Sequence, residues 1–167
     1  MKDGQVSGFL CESKPGDELR LEGPVGRELL LPVPLPEMMV LIGTGTGVAP
    51  LRAILEQLSL QGYSGRVVLI VGARTRDNLP YLSYFENLRS VMANFELRVA
   101  VSKDGSYVQD KFTADEAKDW IEKRQATIFV CGSKAMGSGV VDRLTGAVGL
   151  ERMKEMKRAK RLRKEVY

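Results

Sequence analysis

The chain has 167 residues, of which 44% are hydrophobic and 28% charged, with a formal net charge of +4. This composition fits one globular domain with a substantial core. The chain contains no histidine, which excludes Ser-His and Cys-His catalysis and every zinc site built on histidine. We therefore expect no metal site. Any chemistry should depend on a bound cofactor.

The two cysteines, Cys11 and Cys131, are too far apart in sequence to suggest a disulfide framework, which favours a reducing compartment. No apolar run reaches the roughly 18–20 residues that a bilayer-spanning helix needs. The first residues also lack the apolar segment of a signal peptide. We expect a soluble protein without membrane insertion.

The first 36 residues carry turn signals at 14–17 and 23–26 and alternate like strands at 19–22 and 29–31. Three prolines then predict a stiff linker: Pro32, Pro34 and Pro36. Because two strands cannot form a stable sheet alone, we expect this segment to be the end of a larger antiparallel domain whose beginning is absent.

From residue 37 onwards, short β-branched runs alternate with longer segments of helical periodicity. The runs are 38–42, 67–71, 97–101 and 127–131, and the helical segments are 48–61, 81–92, 114–123 and 135–148. This βαβαβαβ order predicts an α/β fold with a doubly wound parallel sheet. Right-handed crossovers would place helices on both of its faces.

The sharpest motif is Gly-Thr-Gly-Thr-Gly-Val-Ala-Pro at 43–50, between the first predicted strand of this sheet and its first helix. Ligands of open α/β sheets bind beyond the carboxyl ends of the strands. Glycines let the backbone approach a pyrophosphate, and the helix N-terminus contributes free N–H groups. The motif is neither a GxGxxG fingerprint nor a P-loop, and a tight turn without a ligand is the alternative.

This motif, followed by Leu51 and Arg52, resembles the pyrophosphate loop of the ferredoxin–NADP(H) reductase superfamily. Residues 4–11 resemble the family's FAD-phosphate segment, a Gly-x-x-Ser-x-x-Leu pattern. Residues 129–136 are similar to its Cys-Gly-Leu-Lys-Gly-Met segment. Lys-Pro-Gly-Asp at 14–17 and the ending Glu165-Val166-Tyr167 are typical of the plant-type branch, so the resemblance is to that branch.

The resemblance implies a five-stranded parallel sheet in the NADP(H)-binding domain at 37–167, preceded at 1–36 by the remnant of an antiparallel FAD-binding barrel with its linker. It implies hydride transfer between NADP(H) and FAD, coupled to one-electron exchange with ferredoxin or flavodoxin. The family's Arg-x-Tyr-Ser flavin motif is absent. We therefore expect the chain to lack its FAD domain in cis, as a fragment or a natural truncation, and to be inactive alone.

Site residues follow from the resemblance position by position. The terminal Tyr167 would stack on the flavin, while Cys131 and Glu165 would act beside the nicotinamide as the catalytic residues. Ser7 would hold the FAD diphosphate. The residues implied in cofactor binding are Ser7, Gly45, Thr46, Gly47, Gly72, Arg74, Ser102, Lys103, Tyr107, Gln109, Gly132 and Met136. Among these, Ser102, Lys103 and Tyr107 would surround the 2′-phosphate and adenine, with Gln109 supporting that pocket.

Each catalytic assignment has a structural alternative. Cys131 also fits a small buried hydrophobe at a strand end, and Glu165 could serve only as an ion-pair partner among its basic neighbours. Tyr167 could be a frayed terminus. Tyr107 could be an ordinary strand aromatic.

Two departures from the plant-type pattern concern the 2′-phosphate. Lys103 stands where the family has arginine, and Gly105 stands where a second basic residue is usual. Lysine binds phosphate as a point charge rather than a planar fork. The end of the second strand carries no acid that would repel a 2′-phosphate, so we expect a preference for NADP(H) that is weaker than usual.

Between residues 152 and 164 eight side chains are basic and Glu155 is the only acid. This run is interpreted as a solvated helix face or as a surface for an acidic protein; it lacks an aromatic residue for base stacking, which disfavours nucleic acid.

Two other functions stay open, the NADPH-binding module of a diflavin or oxygenase reductase and a non-catalytic nucleotide-binding fragment. The compartment would be plastid-like or cytoplasmic, with no transit peptide in this chain.

Overall fold

The structure, a computed structural model, describes residues 4–23 and 26–167. One sheet holds five strands, which are β1 Met38–Thr44, β2 Arg66–Ala73, β3 Phe95–Val101, β4 Thr127–Gly132 and β5 Leu162–Val166. Their order across the sheet is β3-β2-β1-β4-β5, and every adjacent pair is parallel. The predicted doubly wound parallel sheet of five strands is confirmed.

Six α-helices connect or precede these strands in the described residues. They are α1 Gln5–Glu12, α2 Val48–Leu60, α3 Leu82–Val91, α4 Ala114–Lys118, α5 Lys134–Val148 and α6 Leu150–Arg158. A π-helical turn, Asp119–Lys123, continues α4. The four helical segments predicted from the sequence are thus present, with ends that differ by at most one residue and a change to π-helix in the third.

The core forms two layers, one on each face of the sheet. Helices α2 and α3 pack on one face, with Leu51, Leu55 and Phe85 fully buried. The opposite face is covered by α4, α5 and α6 and includes Trp120 and Leu144. Strands β1 and β4 are buried on both faces, which explains their nearly continuous apolar sequence.

The strands β1 and β4 lie side by side although two other strands separate them in sequence. The chain moves from β1 outwards to β3 and then crosses back to β4. The point where strand order reverses therefore lies between β1 and β4, and the crevice beyond their carboxyl ends is where open α/β sheets bind ligands.

The N-terminal segment corrects two expectations. Residues 19–22 and 29–31 were predicted as strands, but neither pairs with another strand in the described structure. Leu21 is 86% exposed, and a strand requires a hydrogen-bonded neighbour as well as an alternating sequence. Residues 24 and 25 of the predicted 23–26 turn lie outside the described residues. The assignment of 1–36 to a barrel domain stays a prediction.

The basic segment also departs partly from its interpretation as a helix face. Residues up to Arg158 lie on α6, but Arg163 and Lys164 lie on the edge strand β5. Strand β5 has no run of apolar residues, so its sequence pattern gave no strand signal.

Within the described ranges, no helix has the length and apolar character that crossing a membrane requires.

Candidate functional site

The glycine-rich turn joins β1 to α2 and packs tightly against β4. Gly45 has φ +56°, a left-handed conformation that favours glycine. At Gly47 a Cβ would overlap the backbone carbonyl of Cys131 and come within 2.7 Å of the Gly132 nitrogen. Glycine at 47 is therefore required by the contact between the turn and β4.

The N-terminus of α2 opens from this turn without a capping side chain. A 3-10 turn, Gly45–Gly47, leads into α2, and the Val48 N–H donates to the Gly45 and Thr46 carbonyls. The first N–H groups of such a helical stretch, which are those of the turn, have no partner within it, and the helix dipole adds a partial positive charge there. The turn and the start of α2 together are a suitable place for a phosphate group.

A cavity of about 610 Å³ extends from this turn along the carboxyl edge of the sheet. Its walls come from the ends of β1, β2 and β3 and from the first turn of α5. The lining residues are Thr44, Gly45, Gly72, Ala73, Arg74, Asn78, Ala100, Ser102, Ser106, Tyr107, Val108, Gln109, Ser133, Ala135 and Met136. The volume falls in the range of small-molecule and cofactor sites, roughly 300–1,000 Å³.

Two glycines keep the edge of this cavity open. A Cβ at Gly72 would lie 2.8 Å from Val108 Cγ1. At Gly132, whose φ is +146°, it would lie 2.7 Å from Thr44 Oγ1 and 2.8 Å from the terminal methyl of Met136. Both positions lie at strand ends, where larger side chains would push the neighbouring elements apart.

The outer wall of the cavity is the segment after β3, residues 102–111. The Tyr107 N–H donates to the Asp110 carboxylate at 2.9 Å, and the ring is 52% exposed. Gln109 packs against α5 at Gly139, where a Cβ would lie 3.3 Å from the amide nitrogen. The tyrosine ring is thus held by its backbone while its face remains available for stacking.

Arg98 on β3 anchors the far end of this wall. Its guanidinium donates to the Lys111 carbonyl at 2.7 Å and pairs with Glu96 and Glu116 at 2.7 and 2.6 Å. Burial raises the pKa of Glu116, but the hydrogen bonds from Arg98 and Thr113 and the charge of Arg98 together outweigh it, so the pKa lies below its ordinary value. The carboxylate therefore stays ionised and the clamp stays charged at neutral pH.

The C-terminal residue is fastened to the same edge of the sheet. The Tyr167 N–H donates to the Gly132 carbonyl, and its own carbonyl accepts from Lys134 N–H, both at 3.1 Å. The phenol is hydrogen-bonded to Thr46 Oγ1 in the glycine-rich turn. These contacts argue against a frayed terminus, and they bring the last residue of the chain to the turn expected to bind pyrophosphate.

Cys131 lies beside the C-terminal strand, opposite Glu165 in the parallel pairing of β4 and β5. The residue is 3% exposed. Burial raises the pKa of its thiol, and the charge of Glu165 raises it further. The sulfur is therefore a neutral thiol at neutral pH, which suits packing against a flat ring better than nucleophilic attack.

The structure brings most of the expected site residues together. Seven line the cavity, namely Gly45, Gly72, Arg74, Ser102, Tyr107, Gln109 and Met136. Six others follow the adjoining edge of β1, β4 and β5, namely Thr46, Gly47, Cys131, Gly132, Glu165 and Tyr167. Two are placed apart from the lining: Lys103, and Ser7, whose hydroxyl donates to the Gly4 carbonyl within the N-terminal segment.

Besides Thr44, which lies in the glycine-rich motif, three polar lining residues were missed in the sequence. Asn78 accepts a hydrogen bond from Thr75 at 2.6 Å, and Ser106 follows a left-handed glycine. Ser133 caps α5 by accepting from Met136 N–H at 3.3 Å. Only Ser133 had a usable signal, since a serine between a strand and a helix is typical of an N-cap.

The parallel sheet, the glycine-rich turn at its switch point and the long cavity beyond it define a dinucleotide-binding module. Residues 41–142 match the oxidoreductase NAD-binding domain family, and the chain belongs to that family. The resemblance seen in the sequence is confirmed, since the relatives described next are ferredoxin–NADP reductases.

The chloroplastic leaf isozyme 1 of Arabidopsis thaliana is 32% identical over 185 residues, which cover 98% of this chain and 51% of that protein. The root-type chloroplastic isozyme of Nicotiana tabacum is 35% identical over 188 residues, covering 99% and 50%. The solved ferredoxin–NADP⁺ reductase of Plasmodium falciparum superposes with a TM-score of 0.85 at 26% identity, covering 98% of this chain and 65% of that one. The chain spans about half the length of these curated plant relatives.

Proposed function

We propose that this chain is the NADP(H)-binding module of a flavoenzyme of the ferredoxin–NADP(H) reductase type. The observation that carries the proposal is one continuous cavity that joins the glycine-rich turn to the wall containing Ser102 and Tyr107. A dinucleotide needs a phosphate site and a separate adenosine site, both beyond the carboxyl ends of a parallel sheet. The edge at Cys131 and Tyr167 would then receive the nicotinamide.

The side chains present fit such a ligand. The uncapped start of α2 and Thr46 would bind the pyrophosphate, and Gly47 and Gly72 would let its backbone pass. Tyr107 would stack on the adenine. The remaining assignments are Ser102 and Lys103 near the 2′-phosphate, Gln109 behind Tyr107, and Gly45, Gly132 and Met136 along the path of the dinucleotide.

Bound NADP(H) and FAD would supply the hydride chemistry, with ferredoxin or flavodoxin as the one-electron partner. This chain's own residues would orient the rings: Cys131 would pack beside the nicotinamide, Glu165 would set the charge near the flavin, and Tyr167 would cover the flavin face. The Ser7 segment would contact the FAD diphosphate. Most flavin contacts would come from a domain outside the described residues, since the curated relatives are about twice as long as the matched stretch.

The basic side chains on α6 and β5 support an acidic electron-transfer partner. Lys157, Arg158 and Lys160 are exposed at the end of α6, and a concentration of one charge sign accelerates encounter with a partner of opposite sign. The rate of partner reduction should therefore fall as ionic strength rises. The chloroplastic relatives support a plastid-like compartment for this chain.

Titration of the chain with NADP⁺ and NAD⁺ tests the proposal. We expect NADP⁺ to bind about tenfold more tightly, a difference of ~1.4 kcal/mol, because a charge-assisted contact to the 2′-phosphate contributes roughly 1.5–3 kcal/mol. Isothermal calorimetry measures both affinities on the same preparation. Equal affinities would remove the NADP(H) assignment, and absence of binding by both would remove the dinucleotide site altogether.

A further inference from the structure

The two faces of strand β5 contact different parts of the molecule. Val166 faces α5, since a Cβ at Gly137 would lie 2.6 Å from its Cγ1. Successive side chains of a strand point to opposite faces, so Arg163, Glu165 and Tyr167 share the other face, which lies on the side of α2. Glu165 and Tyr167 are expected beside the nicotinamide and the flavin, and Arg163 precedes them on the same face.

Arg163 connects β5 to the segment that precedes β1. Its Nη1 donates to the Leu30 carbonyl at 2.8 Å, across 133 positions of sequence, and its Nε donates to the Lys160 carbonyl at 3.2 Å. The guanidinium carbon lies 5.8 Å from the ring centre of Phe129, the partner of Arg163 in the pairing of β4 and β5. Phe129 belongs to the core layer of α2, which confirms the face on which Arg163 lies.

The segment 29–37 is packed on this core layer and does not behave as a free linker. The side chains that contact the layer are Leu29, Leu31 and Leu35. At the end of the segment the Tyr63 hydroxyl donates to the Pro36 carbonyl at 2.5 Å. Because these contacts hold the segment against the sheet, the Leu30 carbonyl is a fixed acceptor for the guanidinium of Arg163.

Few other side-chain contacts hold this face of β5. Glu165 is exposed, and its carboxylate makes no hydrogen bond or ion pair within the described residues. Tyr167 is 60% exposed and contacts Thr46 through its phenol. The face is therefore held at its start by Arg163 and at its end by Tyr167. An edge strand with few buried side chains opens locally at low cost, so each of these contacts matters for its position.

We propose that Arg163 is a positioning residue, which places Glu165 and Tyr167 at the nicotinamide edge by holding β5 to the segment 29–37. It acts through the strand and is not itself catalytic. The inference rests on the proposed function, because the residues that it positions are those assigned to the nicotinamide and the flavin. Since the FAD-binding part precedes this segment in that proposal, the same contact makes the placement of Tyr167 depend on how that part is docked.

Hydrogen–deuterium exchange of the chain without nucleotide measures the contact itself. The Tyr167 and Lys134 amides are hydrogen-bonded at the end of β5. In Arg163→Ala their exchange should accelerate about tenfold, because a lost charge-assisted bond lowers the cost of local opening. Exchange in β1 and β2 should not change. Arg163→Lys keeps one charged donor and should restore part of the protection. Arg89→Ala, which removes an exposed arginine from α3, is the matched control and should behave like the wild type.

Steady-state kinetics measures the consequence, in protein that carries this chain together with a flavin-binding domain. Arg163→Ala should lower both the Michaelis constant for NADPH and the turnover number about threefold, because a loosened Tyr167 competes less with the nicotinamide, which then leaves more slowly. The affinity for 2′,5′-ADP, which has no nicotinamide, should change less than about twofold. Arg163→Lys should lie between Arg163→Ala and the wild type in both constants.

The remaining outcomes separate this inference from the proposed function. Unchanged exchange at Tyr167 in Arg163→Ala overturns the inference, and so does faster exchange with unchanged kinetics, which would leave Arg163 a purely stabilising role. Equal weakening of NADPH and 2′,5′-ADP binding also overturns it, while the proposed function stands. A wild-type chain that binds neither NADP⁺ nor 2′,5′-ADP removes the proposed function, and the positioning role with it, even if exchange responds as expected. Arg163→Gln replaces Arg163→Ala if the latter lacks the wild-type circular dichroism.

Discussion

Replacing Gly47 with alanine is expected to weaken NADP(H) binding about a hundredfold, or ~2.7 kcal/mol. The added methyl group would overlap the backbone of Cys131 and Gly132, and a strand in the centre of the sheet cannot yield as a flexible side chain does. The turn and the start of α2 must move instead. Displacing one N–H group that would bind the pyrophosphate accounts for the loss, at roughly 1.5–3 kcal/mol for a charge-assisted bond.

The same substitution should lower the free energy of unfolding by about 1–3 kcal/mol, the usual cost of forcing a methyl into a packed site. Gly146→Ala is the matched control, because a Cβ at Gly146 in α5 meets nothing within 4 Å. It should stabilise the protein by roughly 0.5–1 kcal/mol, the gain from alanine within a helix, and leave binding unchanged. Urea unfolding and calorimetry measure both quantities. If Gly47→Ala binds NADP⁺ as the wild type does, the glycine-rich turn is not the phosphate site.

Replacing Tyr167 with serine should lower the Michaelis constant for NADPH by up to about thirtyfold, ~2 kcal/mol, in protein that carries this chain together with a flavin-binding domain. The ring would otherwise occupy the place of the nicotinamide. Its aromatic stacking contributes roughly 0.5–1.5 kcal/mol. The hydrogen bond between its phenol and Thr46 Oγ1 adds about 1 kcal/mol. Turnover should fall at the same time, because a tightly held nicotinamide leaves slowly.

Tyr167→Phe separates the two contributions. It retains the ring and removes only the hydroxyl that contacts Thr46, so about 1 kcal/mol of the effect should remain. Steady-state kinetics with NADPH and NADH give the required constants, and the activity with NADH should rise in Tyr167→Ser. Unchanged kinetics in both variants would show that the anchored terminus does not compete with the nicotinamide.

The sequence predicted the centre of the fold better than its edges. Strands β1 and β4 are buried on both faces, so their composition alone identifies them. Strand β5, Leu-Arg-Lys-Glu-Val, exists because it pairs with β4, and its local pattern carries no such information. The prediction of a strand at residues 19–22 was wrong for the converse reason. These residues alternate like a strand but pair with no other strand in the described structure.

The site shows the same division. The glycine-rich turn could be predicted from the sequence because its residues are contiguous and its glycines are required for close packing with neighbouring backbone. Asn78 and Ser106 lie on separate loops that meet only because β2 and β3 are neighbours in the sheet. The placement of Lys103 outside the lining depends on the path of the loop after β3, which a match of positions between relatives does not specify.

Hydrogen–deuterium exchange with and without saturating NADP⁺ tests the central claim most directly, because it locates the nucleotide as well as detecting it. The account predicts slower amide exchange at 43–50, 72–78 and 102–109. It predicts no change at 35–38 and 62–66, which line a second cavity of about 580 Å³ beyond the amino ends of β1 and β2. Protection confined to that second cavity, or no protection at 43–50 when binding is saturated, would contradict a dinucleotide site at the carboxyl edge of this sheet.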